Sequence, residues 1–273
     1  MTDHSDFVLI DRPQPGVALV TLNRPERMNS MAFDVMVPLR TVLEELRFDN
    51  DVRVVVLTGA GRGFSSGADH KSAGSVPHVA GLTRPTFALR SMEVLDEVIL
   101  ALRRLHQPVI AAVNGAAIGG GLCLALACDI RVAATGAYFR AAGINNGLTA
   151  SELGLSYLLP RAIGASRAFE IMLTGRDVDA AEAERIGLVS QVVAEDELLA
   201  YCYGIAQRIA AFSRPGTELT KRTLWSGLDA ASLEGHMQAE GLGQLFVRLL
   251  TANFEEAVAA RAEKRPAVFT DDK

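Results

Sequence analysis

Two glycine-rich segments contain the residue types that could do chemistry in this chain. The first covers residues 59–69 (GAGRGFSSGAD), and the second covers residues 114–121 (NGAAIGGG). Each follows a strongly apolar run and leads into a helical pattern. The amino end of a helix has unpaired N–H groups and the positive end of the helix dipole. Such a loop can therefore bind an anion or stabilise a developing oxyanion.

The common nucleotide-binding motifs do not fit these segments. A Walker A loop ends in Gly-Lys-Ser/Thr, but the first lysine of this region is Lys71, beyond the loop. The glycines of the second segment do not have the G-x-G-x-x-G spacing of a dinucleotide-binding turn. Two interpretations stay open at this point: an oxyanion or anion site, or glycines that only allow tight turns and close helix packing.

The elements around the loops predict an α/β fold. Runs of β-branched and apolar residues predict strands at 17–22, 53–58, 109–113, 129–133 and 188–193. Helical spacing of apolar residues predicts helices around 36–46, 92–105 and 122–127, and residues 72–88 are predicted to be irregular. Further helices are predicted at 197–212, 216–225 and 253–264. We therefore expect an α/β core over residues 1–200 and a helical region over 201–273.

Composition narrows the class of protein. The chain has 273 residues and a formal net charge of −5, which argues against a nucleic-acid partner. Its cysteines, Cys123, Cys128 and Cys202, form no CxxC pair or disulfide framework, which is typical of a reducing compartment. The apolar run at 108–118 is too short for a membrane span, and the first residues lack a signal-peptide pattern. We expect a cytoplasmic protein without a membrane partner.

Six segments, in order, resemble the crotonase superfamily, the enoyl-CoA hydratase/isomerase family. They are VALVTLNRPERMNSM, VVVLTGAGRGFSSGAD, PVIAAVNGAAIGGGLCLALACDIRVA, LGLSYLLPRAIG, LTGRDVDAAEAERIGLVSQVV and EKRPAVF. The resemblance implies a crotonase-type spiral of ββα turns with a C-terminal helical region used for oligomerisation. It also implies an acyl-CoA thioester substrate and a homotrimer or a hexamer built as a dimer of trimers.

The resemblance assigns roles to residues in both loops. Family members stabilise a thioester enolate with two backbone N–H groups, which match Ala68 and Gly120. The positions that match coenzyme A contacts are Arg27, Ala68, Asp69, His70, Lys71, Gly120 and Lys264. Coenzyme A would enter as part of the substrate, and no tightly bound cofactor or metal is expected.

Some of these residues have a plainer interpretation. Lys71 and Lys264 could equally be solvated surface lysines, and Asp69 could instead cap the helix that follows it. His70 fits a surface residue better than a catalytic one.

The sequence departs from the family pattern where the chemistry is done. Hydratases of this family carry two glutamates, and the matching positions here are Cys123 and Gly143. Neither can act as a carboxylate acid or base, although hydration requires one group to activate water and one to protonate the α carbon. Cys123 could be a nucleophile or, as its apolar helix favours, a small core residue.

Glu152 is the best remaining carboxylate. An aspartate occupies nearly this place in the dienoyl-CoA isomerase branch, although that branch has one residue fewer between the matching glycines. Glu152 would either move a proton between carbons of the acyl chain or cap a helix start. The predicted function is an enoyl-CoA hydratase/isomerase-like enzyme. The alternatives are a catalytically altered acyl-CoA binding protein and an acyl-CoA thioester hydrolase.

Overall fold

The computed structural model describes residues 6–271, and its main feature is a six-stranded sheet in the order β1-β2-β3-β5-β7-β10. Its strands are β1 (Val8–Gln14), β2 (Val17–Leu22), β3 (Val54–Gly59), β5 (Val109–Val113), β7 (Ile130–Ala134) and β10 (Gln191–Val193). All neighbouring pairs are parallel except β1 with β2. The predicted α/β class is confirmed.

A second, smaller sheet lies at the carboxyl ends of these strands. It has the order β4-β6-β8-β9. Its strands are β4 (Gly63–Ser65), β6 (Ala116–Ile118), β8 (Tyr138–Arg140) and β9 (Asp177–Asp179). The strands β4, β6 and β8 directly follow β3, β5 and β7, and each pair then leads to a helix. This repeated strand–strand–helix turn confirms the spiral that the resemblance implied.

Ten α-helices complete the described part of the chain. They are α1 (Phe33–Arg47), α2 (Arg84–Arg104), α3 (Gly120–Ala127), α4 (Leu155–Ile163), α5 (Ala165–Thr174), α6 (Ala180–Arg185), α7 (Leu198–Ala210), α8 (Arg214–Gly227), α9 (Leu233–Leu250) and α10 (Asn253–Glu263). Within residues 6–271 no helix is long and apolar enough to cross a bilayer.

Both faces of the main sheet are buried, as expected for parallel strands. On β3, Val54 and Val56 pack with Cys202 of α7 on one face. Val55 and Leu57 belong to the larger core on the other face, which α1, α2 and α3 cover. Because both faces are covered, the central strands are apolar throughout. Their continuous apolar runs therefore predicted their positions well from the sequence.

Several boundaries differ from the predictions. The strands at 17–22 and 109–113 are confirmed, but only 191–193 of the predicted strand at 188–193 is extended. The prediction that residues 72–88 are irregular is wrong at its end, because α2 begins at Arg84 with Pro85 in its first turn. Proline fits there because the first turn of a helix has no partner for its N–H groups. Strand β1 was not predicted, since it is a mostly exposed edge strand that contains Pro13.

The carboxy-terminal helices bury little of their apolar surface. Helix α9, which was not among the main predicted helices, has no buried residue. Its exposed apolar side chains include Leu242, Leu245, Phe246 and Leu249. Helix α7 spans the expected division at residue 200 and packs on the main sheet. The division into 1–200 and 201–273 stays a prediction.

Helix α8 is attached to the sheet by Asp129, the residue before β7. Lys221 Nζ lies 2.8 Å from Asp129 Oδ2, and the Trp225 indole N–H donates to Asp129 Oδ1 at 2.5 Å. The Val109 amide donates to the same carboxylate at 2.7 Å. Lys221 also donates to the Gln107 carbonyl at 2.9 Å, and its side chain is 6% exposed. These bonds offset the free-energy cost of burying the charges of Asp129 and Lys221.

We predict that Lys221→Met lowers the free energy of unfolding by about 3 kcal/mol, because removing one partner leaves the other charge buried without it. Urea unfolding at a fixed protein concentration measures this change. Lys264→Met is the matched control, since Lys264 is exposed at the end of α10. Equal unfolding midpoints for the two variants would contradict the role given to the Asp129 pair.

Candidate active site

The two glycine-rich loops meet at the carboxyl ends of β3 and β5. The Met31 amide donates to the Gly67 carbonyl at 2.7 Å, and the Asp69 amide donates to the Met31 carbonyl at 3.3 Å. Gly67 has φ +79°, and a Cβ there would lie 2.6 Å from the Ile118 oxygen and 3.3 Å from the Gly120 nitrogen. Only glycine allows this approach, so the contact brings the two loops to one site.

Two backbone amides at this contact have no acceptor among the residues that the structure describes. Hydrogen bonds on either side of Ala68 involve the Gly67 carbonyl and the Asp69 amide. Gly120 is the first residue of α3, whose amino end leaves amides without helical partners. Among residues 6–271, neither the Ala68 nor the Gly120 amide donates to a protein acceptor. Both are therefore available to an oxygen atom bound between the loops.

The carboxylate of Glu152 lies beside the start of α3. Its Oε1 atom is 3.2 Å from where a Cβ on Gly119 would be. Glu152 is half-buried, and burial raises its pKa, whereas the charge of His70 acts in the opposite direction. The next residues, Leu153 and Gly154, have φ values of +46° and +80°. A left-handed leucine is a strained arrangement of the kind found at functional sites, and here it follows the half-buried carboxylate directly.

The structure accounts for the glycine at position 143. A Cβ on Gly143 would overlap the Thr149 carbonyl, and it would lie 2.8 Å from the Thr149 carbon and 3.1 Å from Ala150 Cα. The segment that carries Glu152 therefore occupies the space in which a side chain at position 143 would begin. A glutamate cannot stand at position 143 while this segment keeps its path.

The surroundings of Cys123 are those of a core residue rather than of a nucleophile. It is fully buried, and its thiol donates to the Gly119 carbonyl at 3.3 Å and to the Glu152 carbonyl at 3.5 Å. Burial and the charge of Glu152 raise the pKa of the Cys123 thiol well above its usual value. Because the thiolate is the nucleophile, this environment favours the core interpretation.

Asp69 organises the first loop from inside. Its side chain is 1% exposed and contacts Arg27 at 2.6 Å and Arg24 at 3.1 Å. It also accepts hydrogen bonds from the amides of Lys71 and Ser72 at 2.9 Å. Burial opposes ionisation, but these bonds outweigh it and hold the pKa of Asp69 well below its usual range. Asp69 thus caps a turn rather than a helix.

The other residues matched to coenzyme A contacts are spread over the surface. Ala68, His70 and Lys71 are exposed on the first loop, and Arg27 keeps part of its guanidinium accessible while it pairs with Asp69. Lys264 is exposed just beyond α10, in the left-handed conformation with φ +56°. In the described part of the chain, no three His, Cys, Asp or Glu side chains cluster as a metal site would require.

Two residues that sequence reasoning did not single out close the site around Gly120. A Cβ on Gly120 would overlap Met31 Sδ and lie 3.3 Å from Leu153 Cδ1. Met31 ends the first of the six segments that resemble the family, so the resemblance could have indicated that it lies near the site. Leu153 had no such signal, because its place depends on the left-handed turn after Glu152.

The fold and site define a class: a spiral α/β protein in which two glycine-rich loops meet and a half-buried carboxylate lies beside their contact. A family profile described as enoyl-CoA hydratase/isomerase matches residues 12–272. A probable enoyl-CoA hydratase of Mycobacterium bovis is 82% identical over 97% of this chain and 93% of its own length. The chain belongs to the enoyl-CoA hydratase/isomerase family, as the sequence resemblance predicted, and it is an enzyme of that family.

Solved structures agree with this assignment. A probable enoyl-CoA hydratase/isomerase from Mycobacterium abscessus has a TM-score of 0.94 and 74% identity, covering 98% of this chain and all of its own. A structure described as a monofunctional enoyl CoA isomerase from M. smegmatis has 74% identity and a TM-score of 0.74, covering 86% of this chain and 99% of its own. The expected crotonase fold is confirmed.

We predict that Gly143→Ala displaces the 149–154 segment, lowers the free energy of unfolding by about 1–3 kcal/mol and reduces turnover, because the added methyl overlaps backbone. Gly204→Ala is the control, since a Cβ on that α7 glycine meets open space. Urea unfolding and turnover of an acyl-CoA substrate measure the two effects. Wild-type behaviour of Gly143→Ala would show that the loop is not held as described.

Proposed function

We propose that this enzyme shifts a carbon–carbon double bond within an acyl-CoA thioester, with Glu152 as its single acid–base group. The carboxylate removes a proton from C2 of a 3-enoyl thioester. The electrons move toward the thioester oxygen and give a dienolate. The proton then returns from Glu152 to C4, and the product is the conjugated 2-enoyl thioester. Atoms and charge balance without another reactant.

The observation that carries this proposal is the half-buried carboxylate of Glu152 beside the loop contact, whereas the Asp69 carboxylate is paired with arginines. A double-bond shift needs one group that takes a proton and gives it back. Hydration needs a second group for the water, and the two family glutamate positions hold Cys123 and Gly143. The relative from M. smegmatis that is described as a monofunctional isomerase supports the same choice.

The amides of Ala68 and Gly120 would stabilise the dienolate oxygen. Backbone donors held in place before reaction stabilise developing charge without reorganisation, and losing one typically costs about 3 kcal/mol of transition-state stabilisation. Their lack of an acceptor among residues 6–271 supports this role. The raised pKa of Glu152 supports its role as well, because a base with a higher pKa holds the transferred proton better.

Coenzyme A would bind as part of the substrate, along the exposed face of the first loop. Arg27 and Lys71 present positive groups there beside the exposed His70, and Lys264 would reach the coenzyme of a neighbouring subunit, as the family resemblance implies. A proton shift requires no tightly bound cofactor. The three free, buried thiols of Cys123, Cys128 and Cys202 suit the reducing cytoplasm.

Hydration is the second candidate, because relatives at high identity are described as probable enoyl-CoA hydratases. Parallel assays separate the possibilities. Formation of conjugated enoyl absorbance from trans-3-hexenoyl-CoA reports isomerisation, and its loss from crotonyl-CoA reports hydration. Release of free coenzyme A would indicate the hydrolase alternative. Binding of the thioester with no conversion in any assay would indicate the binding-protein alternative.

We predict that Glu152→Gln lowers kcat for the 3-enoyl thioester by about 10²–10⁴-fold, because the amide cannot accept the substrate proton. Affinity for the thioester, measured by calorimetry, should stay near the wild-type value. Glu197→Gln, at an exposed glutamate outside the site, is the matched control. A wild-type rate in Glu152→Gln would show that another group carries the proton.

The carboxy-terminal helices would assemble the subunits into a trimer or a hexamer. Helix α9 buries none of its residues, and its apolar side chains are more than half exposed at Leu242, Leu245 and Leu249. An amphipathic helix is stabilised mainly by packing of its apolar face, so α9 needs a partner surface. A second copy of this chain, as in the family it resembles, supplies one.

We predict that the wild-type protein sediments as a trimer or hexamer and that the double variant Leu245→Glu/Phe246→Glu sediments as smaller species, because charges replace apolar contacts. Analytical ultracentrifugation at one protein concentration measures both. A wild-type monomer would contradict the proposed assembly.

A further inference from the structure

The segment that carries Glu152 makes a tight turn directly after it. The Leu155 amide donates to the Glu152 carbonyl at 2.7 Å, which closes a four-residue β-turn over residues 152–155. Its two central residues, Leu153 and Gly154, have φ values of +46° and +80°. The ψ of Gly154 is 6°, near the value of about 0° for a type I′ turn, in which both central residues have positive φ. Helix α4 begins at Leu155, so this turn sets the direction in which the chain leaves Glu152.

A leucine is unusual at the first central position of such a turn. Glycine, asparagine and aspartate dominate there, because the Cβ of an L-residue in the left-handed region crowds a neighbouring carbonyl oxygen. Leu153 is nevertheless only 7% exposed, so its whole side chain is packed against other residues. These contacts offset the free-energy cost of its left-handed backbone.

The Leu153 side chain packs where the two glycine-rich loops meet. Its Cδ1 atom lies 3.3 Å from where a Cβ on Gly120 would be, and Met31 Cε lies 3.1 Å from the same place. Met31 is also bonded to the first loop through its own amide and carbonyl. Three segments therefore meet on one side of Gly120: the first loop through Met31, the start of α3, and the turn after Glu152.

Glu152 itself touches the same part of α3 through its backbone and its side chain. The Cys123 thiol lies 3.5 Å from the Glu152 carbonyl oxygen. The carboxylate oxygen Oε1 lies 3.2 Å from where a Cβ on Gly119 would be. Because a thiol is only a weak hydrogen-bond donor, it holds the turn less firmly than the packing of a buried leucine does. The contact of Leu153 at Gly120 is therefore the main attachment of this turn to α3.

We propose that Leu153 is a positioning residue: by packing beside Gly120 it fixes the Glu152 carboxylate relative to the amides of Ala68 and Gly120. This inference rests on the proposed role of Glu152 as the base. A proton shift requires the carboxylate and the oxyanion donors to act on one substrate at the same time. A misplacement of about 1 Å can cost about 10²-fold in rate. Leu153 acts through Glu152 and takes no chemical step itself.

The test truncates Leu153 in the full-length enzyme and measures kcat and KM for trans-3-hexenoyl-CoA. Leu153→Ala should lower kcat by about 10–100-fold, because the turn loses its contact at Gly120. KM should change by less than about threefold, since the change affects the reacting geometry rather than substrate binding. Leu153→Met should keep kcat within about threefold of wild type, because it conserves side-chain volume and is unbranched at Cβ.

Leu159→Ala is the matched control for loss of a buried leucine. Leu159 is 1% exposed in α4 and belongs to the same hydrophobic core as Leu153. The same truncation should therefore lower the free energy of unfolding in urea for both variants. The kcat of Leu159→Ala, per folded molecule, should stay within about twofold of wild type, because a core cavity away from the site lowers stability rather than rate.

A double variant separates positioning from a general structural role. If Leu153 acts through Glu152, the effects of the two changes are not additive. Glu152→Gln/Leu153→Ala should therefore keep the residual kcat of Glu152→Gln. If Leu153→Ala does not fold, Leu153→Gly replaces it, because glycine takes the left-handed conformation at no steric cost and keeps the turn. Its kcat should fall by the same factor.

Four results would overturn the inference. One is a wild-type kcat in Leu153→Ala, or in Leu153→Gly where that variant replaces it. Another is a loss of kcat in Leu153→Met as large as that in the truncated variant. The third is an equal loss in Leu159→Ala, and the fourth is a double variant slower than Glu152→Gln by the full factor. A wild-type rate in Glu152→Gln would instead overturn the proposed function itself, so the two failures are distinguishable.

Discussion

The close approach of the loop after β3 to the start of α3 is the constraint on which the site depends. Gly67 has no room for a side chain beside the Ile118 carbonyl, and Gly120 has none beside Met31 and Leu153. Any larger residue would separate the loops, and the amides of Ala68 and Gly120 would no longer face one opening. The rest of the spiral serves this contact, because parallel β3 and β5 deliver both loops to the same edge of the sheet.

The two carboxylates near this contact have different surroundings: Asp69 is neutralised by ion pairs, whereas Glu152 has none among residues 6–271. Asp69 is buried, but two arginines and two backbone amides saturate it, and it therefore holds the loop in shape. Glu152 is half-buried with no such partners described, and burial raises its pKa. Two acidic residues of the same site thus have different chemistry because their surroundings differ.

The path of one segment links positions 123, 143 and 152. The Thr149 carbonyl excludes a side chain at Gly143, and the same segment brings Glu152 to the start of α3, next to the small Cys123. The lack of room for a side chain at position 143 and the placement of Glu152 therefore have one structural cause. With one carboxylate free of ion pairs among the described contacts, the proposed proton shift within the substrate requires no second acid–base group.

The sequence by itself determined the α/β class, the central strands and the family. Strands covered on both faces must be apolar throughout, and this pattern is visible without coordinates at Val54–Gly59 and Val109–Val113. The sequence also singled out the two glycine-rich loops and showed that positions 123 and 143 carry no carboxylate. Periodicity did not reveal the edge strand β1 or the start of α2, where exposure and a proline in the first helical turn hide the pattern.

Only the tertiary structure decided which residues lie beside the contact between the two loops. Glu152 and Gly119 meet because a left-handed turn at Leu153 and the close packing of Gly143 against Thr149 direct one loop toward a helix far from it in the chain. Such neighbours are set by packing between distant segments, and local patterns of hydrophobicity do not encode that packing.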